Sequence, residues 1–227
     1  MRGFLSLVLF FVCVDLYSQA IPDFEAIDSL YREDQFYFGT TYNIFSKKPP
    51  GVSQNSFSIG LSTGFLRDFP LNKKRTFAIA PGLGFSYNNY KQNLVISEVD
   101  GTKNYSLVAP ETLLDKNKLG LFSVDVPIEV RWRTSTFESH KFWRIYTGFK
   151  TSYVFLSRSK YIADNGNYTV VNNSDINKLQ YGVYVAAGYN TWNLYTYYGL
   201  NSLFSKDLLS PGGNFKTLNI GLMFYIL

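Results

Sequence analysis

The sequence predicts an all-β fold: a single antiparallel transmembrane β-barrel of eight strands (ten if a long loop folds back into the membrane), preceded by an N-terminal signal peptide. Three observations predict it. The chain opens with an export leader, the remainder is striped with period-two alternation of apolar and small or polar residues, and the connections alternate between short and long. Residues 56–65 show the striping plainly. Phe57, Ile59, Leu61 and Phe65 share one face, and Ser56, Ser58, Gly60, Ser62 and Gly64 share the other. A β-strand turns successive side chains to opposite faces, so each such strand has one apolar and one compact polar face. Behind a leader, that pattern suits strands with lipid on one side and a lumen on the other.

The leader spans 1–20. Arg2 supplies the charge, Phe4 to Val14 is almost wholly apolar, and Ser18-Gln19-Ala20 offers small residues for cleavage. The apolar stretch is too short to cross a bilayer as a helix, and no later window reaches the roughly 20 apolar residues a helical span needs. Cys13, the one cysteine, lies in this leader. Phe10-Phe11-Val12 before it lacks the small residue a lipidated cysteine requires. The exported chain of about 207 residues then carries no disulfide, thiolate metal site or cysteine nucleophile, and its length suits one all-β domain. Hydrophobic residues make up 46% of the chain, a content resembling that of a soluble protein, as expected when only one face of each strand meets lipid. The net charge of +5 is scattered without a Lys/Arg block, so nucleic acid is not an expected partner.

Residues 21–34 are acidic and do not alternate, and read as a periplasmic lead-in to a barrel over 35–227. Strands are expected at 35–45, 55–67, 76–88, 119–133, 141–156, 178–190, 192–204 and 215–227, each long enough for the roughly 9–11 residues of a tilted membrane strand. In the third, Phe77, Ile79, Leu83, Phe85 and Tyr87 point outward against Ala78, Ala80, Gly82, Gly84 and Ser86. In the sixth, Leu179, Tyr181, Val183, Val185 and Tyr189 oppose Gln180, Gly182, Tyr184 and Gly188. The last carries Leu218, Ile220, Leu222, Phe224 and Ile226 outward, and closure onto the first strand removes the free edge.

With both termini periplasmic, the inner turns are 68–75, 134–140 and 190–191, and the extracellular loops are 46–54, 89–118, 157–177 and 205–214. Short inner turns and long outer loops are the usual asymmetry of these barrels. Trp132, Trp143 and Trp192 each fall beside an inner turn, which predicts a periplasmic aromatic girdle, since indole favours the membrane–water boundary. Asp100-Gly101 and Asn165-Gly166 read as hairpin tips within the two longest loops. The third and fourth strands, and the fifth and sixth, are expected to extend outward as ribbons, with a short helix or cap over Pro110 to Lys118.

Charge is concentrated on strands four and five. Parity sets Asp125, Glu129, Arg131 and Arg133 opposite the apolar set Val124, Val126, Ile128, Val130 and Trp132, and it sets Arg144 and Lys150 opposite Ile145, Thr147 and Phe149. A cation facing lipid at mid-depth costs about 2–4 kcal/mol, so these groups are expected in the lumen. An eight-stranded barrel is just wide enough for side chains to fill, and opposite charges at that density should pair into a structural plug. Enzyme readings find little support. His140, the one histidine, lies in an inner turn, away from the outer rim or lipid face where barrel hydrolases need their base. No phosphate loop, zinc spacing or EF-hand pattern occurs, so no catalytic, cofactor or metal residues are expected.

Val124-Asp-Val-Pro-Ile-Glu-Val-Arg-Trp-Arg-Thr-Ser135, followed by Lys141-Phe-Trp-Arg-Ile-Tyr-Thr-Gly148, resembles the PorT-like outer-membrane barrels. The similarity extends over most of the exported chain, including Phe36-Tyr37-Phe38-Gly39. The resemblance implies a non-enzymatic component of type IX secretion, which exports proteins bearing C-terminal sorting domains and supports gliding motility. It implies a multi-pass barrel in a Gram-negative outer membrane, with membrane lipid and other secretion-machinery proteins as partners. It supplies no catalytic residue and no role for the individual lumen charges. A stand-alone porin-like or surface-binding barrel is the alternative.

Overall fold

The computed structural model describes residues 33–54, 56–134 and 143–226. The leader, most of the lead-in and His140 lie outside these residues.

Among the described residues the chain is all strand and turn, with no helix. Its strands are β1 (Gln35–Lys47), β2 (Ile59–Leu66), β3 (Phe69–Pro70), β4 (Phe77–Lys91), β5 (Leu94–Val99), β6 (Thr102–Leu107), β7 (Leu114–Arg133), β8 (Trp143–Ala163), β9 (Gly166–Val171), β10 (Leu179–Tyr189), β11 (Trp192–Gly199) and β12 (Lys216–Ile226). Eight of them close a barrel in the order β1, β2, β4, β7, β8, β10, β11, β12, every pair antiparallel. The seam between β12 and β1 runs from Phe36 opposite Ile226 to Lys47 opposite Lys216. No barrel edge is left unpaired, the condition for strands to span lipid. The alternation places Phe77, Leu83, Phe85, Val126, Ile128, Val183 and Val185 on the exposed outer wall and Ala78, Ala80, Tyr146 and Tyr184 inside.

The hairpin β5–β6 stands apart as a two-stranded sheet, turning at Asp100-Gly101, whose φ values of 50° and 77° need the left-handed region. The second tip falls one residue earlier than the Asn-Gly pair predicts. Asp164-Asn165 forms the turn, and Gly166 opens β9 opposite Ala163. Where a short helix or cap is expected over Pro110 to Lys118, the chain forms a turn at Pro110-Glu111 and then β7, which begins at Leu114. The longest ribbon joins β7 and β8, the fourth and fifth expected strands, paired from Arg133–Arg144 to Leu114–Ala163. β8 pairs outward with β9, and its pairing with β10, expected to extend as a ribbon, ends at Leu179–Tyr153.

A register shift divides that ribbon. Phe122 pairs with Leu156 but Ser123 pairs with Val154, so Phe155 is an extra residue on β8. Below the shift the even residues Arg144, Tyr146 and Val154 face inward; above it the odd residues Ser157, Ser159 and Tyr161 do. A bulge reverses parity because the side-chain period is two. The β4–β7 pairing skips Gly82 and Leu83 on one strand and Val126 and Pro127 on the other, so Pro127, which cannot donate, falls in the gap and Pro81, opposite Ile128, borders it.

Candidate functional site

The interior is built in layers. At the end where β1 starts and β12 finishes lies an ionic layer. Arg131 and Arg133, on the lumen face of β7, are fully buried, as are Asp68 and, nearly so, Glu33 and Glu129. Arg133 Nη1 and Nη2 donate to the two carboxylate oxygens of Asp68 at 2.8 and 2.7 Å, and its Nε donates to the Arg75 carbonyl at 3.0 Å. Arg131 Nη1 donates to Asp68 Oδ1 at 3.0 Å and to the Glu33 carbonyl at 3.1 Å, and its Nε donates to Glu129 Oε2 at 2.9 Å. The Glu33 carboxylate stands 3.8 Å from Arg133. Charge-assisted, two-pronged bonds of this kind offset the desolvation of buried ions only when the remaining atoms are also satisfied.

Tyrosines complete the layer. Tyr184 and Tyr225 each donate their hydroxyl to Glu129 Oε1 at 3.0 Å. The Arg131 guanidinium lies 4.8 Å from the Tyr146 ring centre, and Arg144 packs 5.7 Å from that ring and 5.6 Å from Tyr225. Glu129 therefore accepts from three partners drawn from β7, β10 and β12. Gly148 makes this arrangement fit. It lies opposite both Glu129 and Tyr184 in register, and a β-carbon there would fall 2.6 Å from the Tyr184 ring and 2.7 Å from the Ile128 carbonyl.

The middle layer pairs Lys150 Nζ with Asp125 Oδ2 at 3.4 Å, while Ser86 donates to Asp125 Oδ1 at 3.1 Å. The Lys150 ammonium also sits 4.6 Å from the Tyr197 ring centre. Above this, Asn43, Asn88 and Asn219 form an amide cluster in which Asn88 Oδ1 accepts from both neighbours. An apolar cap then closes the mouth. Phe45 stacks on Tyr90 at 4.7 Å and meets Phe215 edge-on at 5.1 Å, with Leu94, Leu119, Leu121, Leu203, Phe204 and Leu208 buried around them. The lumen cavities between these layers are about 20 and 30 Å³, room for one or two water molecules.

Outside, the loops hold one another. Ser53 N–H donates to Asn93 Oδ1, and Asn93 Nδ2 donates to the Gly51 carbonyl. Tyr105, on β6, donates to Asp175 Oδ2 at 2.6 Å, and Lys206 meets the same oxygen at 2.7 Å. Asn177 Nδ2 donates to the carbonyls of Ser202 and Phe204. Burial alone would raise the Asp175 carboxyl, but Lys206 and Tyr105 outweigh it and hold it below the usual carboxylate range. Burial and the bond to Asp175 raise the Tyr105 hydroxyl.

Trp132, Trp143 and Trp192 all lie exposed on the outer wall at the ionic-layer end. Trp132 pairs with Phe77, Trp143 packs 5.4 Å from Tyr189, and Trp192 meets Phe224 edge-on at 4.8 Å. Sequence reasoning missed Asp68 and Glu33, which supply most of the carboxylate contacts of Arg131 and Arg133. They sit in a turn and in the segment before β1, where no periodicity marks an inward position. It also missed the tyrosine ring around Glu129. Tyr184 was legible as inward by parity, but its partner was not.

A closed eight-stranded antiparallel barrel with an apolar outer wall and a polar, filled lumen defines an outer-membrane β-barrel protein. The family model for the outer membrane protein beta-barrel domain matches residues 17–205, and the chain belongs to that family. No curated protein matches the chain. A solved structure described as "Asymmetric conductivity of engineered proteins" aligns with 86% of this chain and 100% of its own at 8% identity, with a TM-score of 0.16, and that likeness carries no argument.

Proposed function

We propose that this barrel is a non-enzymatic structural or assembly subunit of the type IX protein-export machinery in a Gram-negative outer membrane, acting through protein contacts at its outer loops or periplasmic rim. The observation that carries the reading is the filled interior. From the Arg131–Arg133–Asp68 layer to the Phe45–Phe215 cap, side chains of the chain itself occupy the lumen, so the working surfaces are the outer ones. The outer loops suit a docking role. Held by Tyr105, Asn93 and Asn177, they need little further ordering when a partner binds. The particular machine comes from the resemblance of Val124–Ser135 and Lys141–Gly148 to the PorT-like barrels.

The test is deletion of the chain, followed by proteomics of the secreted and periplasmic fractions. The expected result is that proteins with C-terminal sorting domains disappear from outside and accumulate in the periplasm. Unchanged secretion would reject the export role and favour a surface-binding barrel.

A further inference from the structure

Three cations stand in one row across three neighbouring strands near the outer end. Lys91 on β4 is directly opposite Lys118 on β7, and Lys118 is directly opposite Lys160 on β8. Like charges in opposed positions destabilise a sheet, so this row works against the fold. Among the described residues, none of the three has an ion-pair partner. Arg158, two residues below Lys160 on the same outward face, adds a fourth cation; it and Lys91 are exposed, and Lys118 and Lys160 are half-buried.

The row borders a polar recess of about 430 Å³ at the ends of β4 and β7. Lys91, Lys116 and Lys118 line it, with Asp115 as a carboxylate on its wall. Three side-chain oxygens in the lining, Asn89 Oδ1, Gln92 Oε1 and Asn117 Oδ1, are buried without a hydrogen-bond partner. The Asn117 amide is fixed in orientation because its Nδ2 donates to the Leu94 carbonyl at 3.0 Å, so its oxygen is an acceptor awaiting a donor. Ammonium groups beside vacant acceptors suit a head group that carries both phosphate and hydroxyls.

Directly below, the outward face holds an apolar groove of about 290 Å³ that runs from β4, β7 and β8 across β2 to Phe38 on β1. Its walls include Phe38, Leu61, Phe85, Phe122 and Phe155, and Thr63, a small residue between the larger ones, leaves the depression. Height places the groove in the outer leaflet. Phe77, opposite Trp132, marks the inner rim, and Tyr87 lies ten residues farther along β4. At about 3.4 Å per residue and a tilt near 40°, Tyr87 stands roughly 26 Å above that rim, close to the height of the apolar band. Its ring packs 4.7 Å from Phe122 and leans over Gly120, toward the lysine row. An amphipathic tyrosine at this depth has its ring in lipid and its hydroxyl at the head-group level.

We infer that the outward face running from the β4–β7–β8 lysine row to β2 is a binding site for a phosphorylated glycolipid of the outer leaflet, with its head group in the lysine-lined recess and one acyl chain in the groove beneath, centred on Thr63. Charge complementarity and continuity with the lipid-facing wall select this occupant. Bound phosphate neutralises the row that otherwise repels itself, so occupancy also stabilises the outer ribbon.

The experiment is native mass spectrometry of the detergent-solubilised full chain with three probes: bisphosphorylated lipid A, its dephosphorylated form and inorganic phosphate. Lipid A is expected to be retained, and loss of its phosphates is expected to weaken retention roughly tenfold or more, since each nearby cation contributes about fivefold. Lys91→Gln/Lys118→Gln should lose lipid A to a similar extent, while its melting temperature without lipid is unchanged or raised. Thr63→Phe, which fills the groove, should weaken lipid A but leave inorganic phosphate binding alone. Lys47→Gln/Lys216→Gln, a like-charged pair across the barrel seam, should retain lipid A. Equal binding of the dephosphorylated lipid, equal loss in the Lys47/Lys216 variant, or inorganic phosphate binding as tightly as lipid A would each overturn the proposal.

Discussion

Arg133, the last residue of β7, grips Asp68 with both prongs of its guanidinium, at 2.8 and 2.7 Å, and both side chains are fully buried. Asp68 lies between β2 and β3, so this pair ties an inner turn into the base of the barrel. Arg131 shares the same carboxylate. Asp68→Asn removes the charge that two buried arginines face. The expected cost is about 3–5 kcal/mol, the range for breaking a buried ion pair from one side. Urea unfolding of the barrel in lipid vesicles measures it, and a loss below about 1 kcal/mol would show that Glu33 and Glu129 suffice for both arginines.

Glu129→Gln should be milder. The amide oxygen still accepts from Tyr184 and Tyr225, and Arg131 keeps Asp68 and the Glu33 carbonyl. The same unfolding assay should rank Asp68→Asn as more damaging than Glu129→Gln. The reverse order would mean that the tyrosine ring, and not the turn carboxylate, anchors the layer.

Gly148→Ala tests the packing of that ring. The added β-carbon drives into the Tyr184 ring and the Ile128 carbonyl, and overpacking of a filled interior costs about 1–3 kcal/mol. Pairing it with Tyr184→Phe, which removes the Tyr184–Glu129 bond, should give a double variant less damaged than the sum. Full additivity would separate Gly148 from the hydroxyl contact.

The outer clasp should respond to pH at both extremes. The Asp175 carboxyl titrates below its unfolded value in the folded chain, so its stabilisation is full above about pH 4 and is lost as pH falls through the folded value. The raised Tyr105 hydroxyl contributes fully below about pH 10 and is lost as pH rises toward its folded value. Limited proteolysis of the segment around Asp175 should accelerate outside that window. A flat profile from pH 3 to 7 would remove Asp175 from the clasp.

Planar bilayers should register no stable conductance for the purified barrel, because lumen cavities of about 20 and 30 Å³ do not join into a pore. Well-defined unitary currents would contradict the filled interior and restore the porin-like alternative.

The alternation of Val124 to Arg133 makes both faces of β7 readable from the residues alone, since a strand has two faces and lipid tolerates one kind of side chain. The same reasoning carries Leu179 to Tyr189 and Leu218 to Ile226. It stops at Phe155. One extra residue reverses the faces of β8 beyond that point, and no local composition marks the insertion. The short helix or cap expected over Pro110 to Lys118 fails for a related reason. Pairing with β8 recruits Leu114 to Lys118 into the ladder, and tertiary pairing overrides the local signal.

The sequence by itself determined the barrel class, the strand count and which side of each inner strand segment holds charge, because all of these follow from short-range periodicity and the energy of polar groups in lipid. Only the tertiary structure decided that Arg131 and Arg133 meet Asp68 and Glu33, that three donors converge on Glu129, that Phe45 and Phe215 close the mouth, and that three lysines align over a groove at Thr63. Each depends on the stagger between strands and on where non-periodic segments return. Those are properties of closure around the whole ring, and no window of sequence contains them.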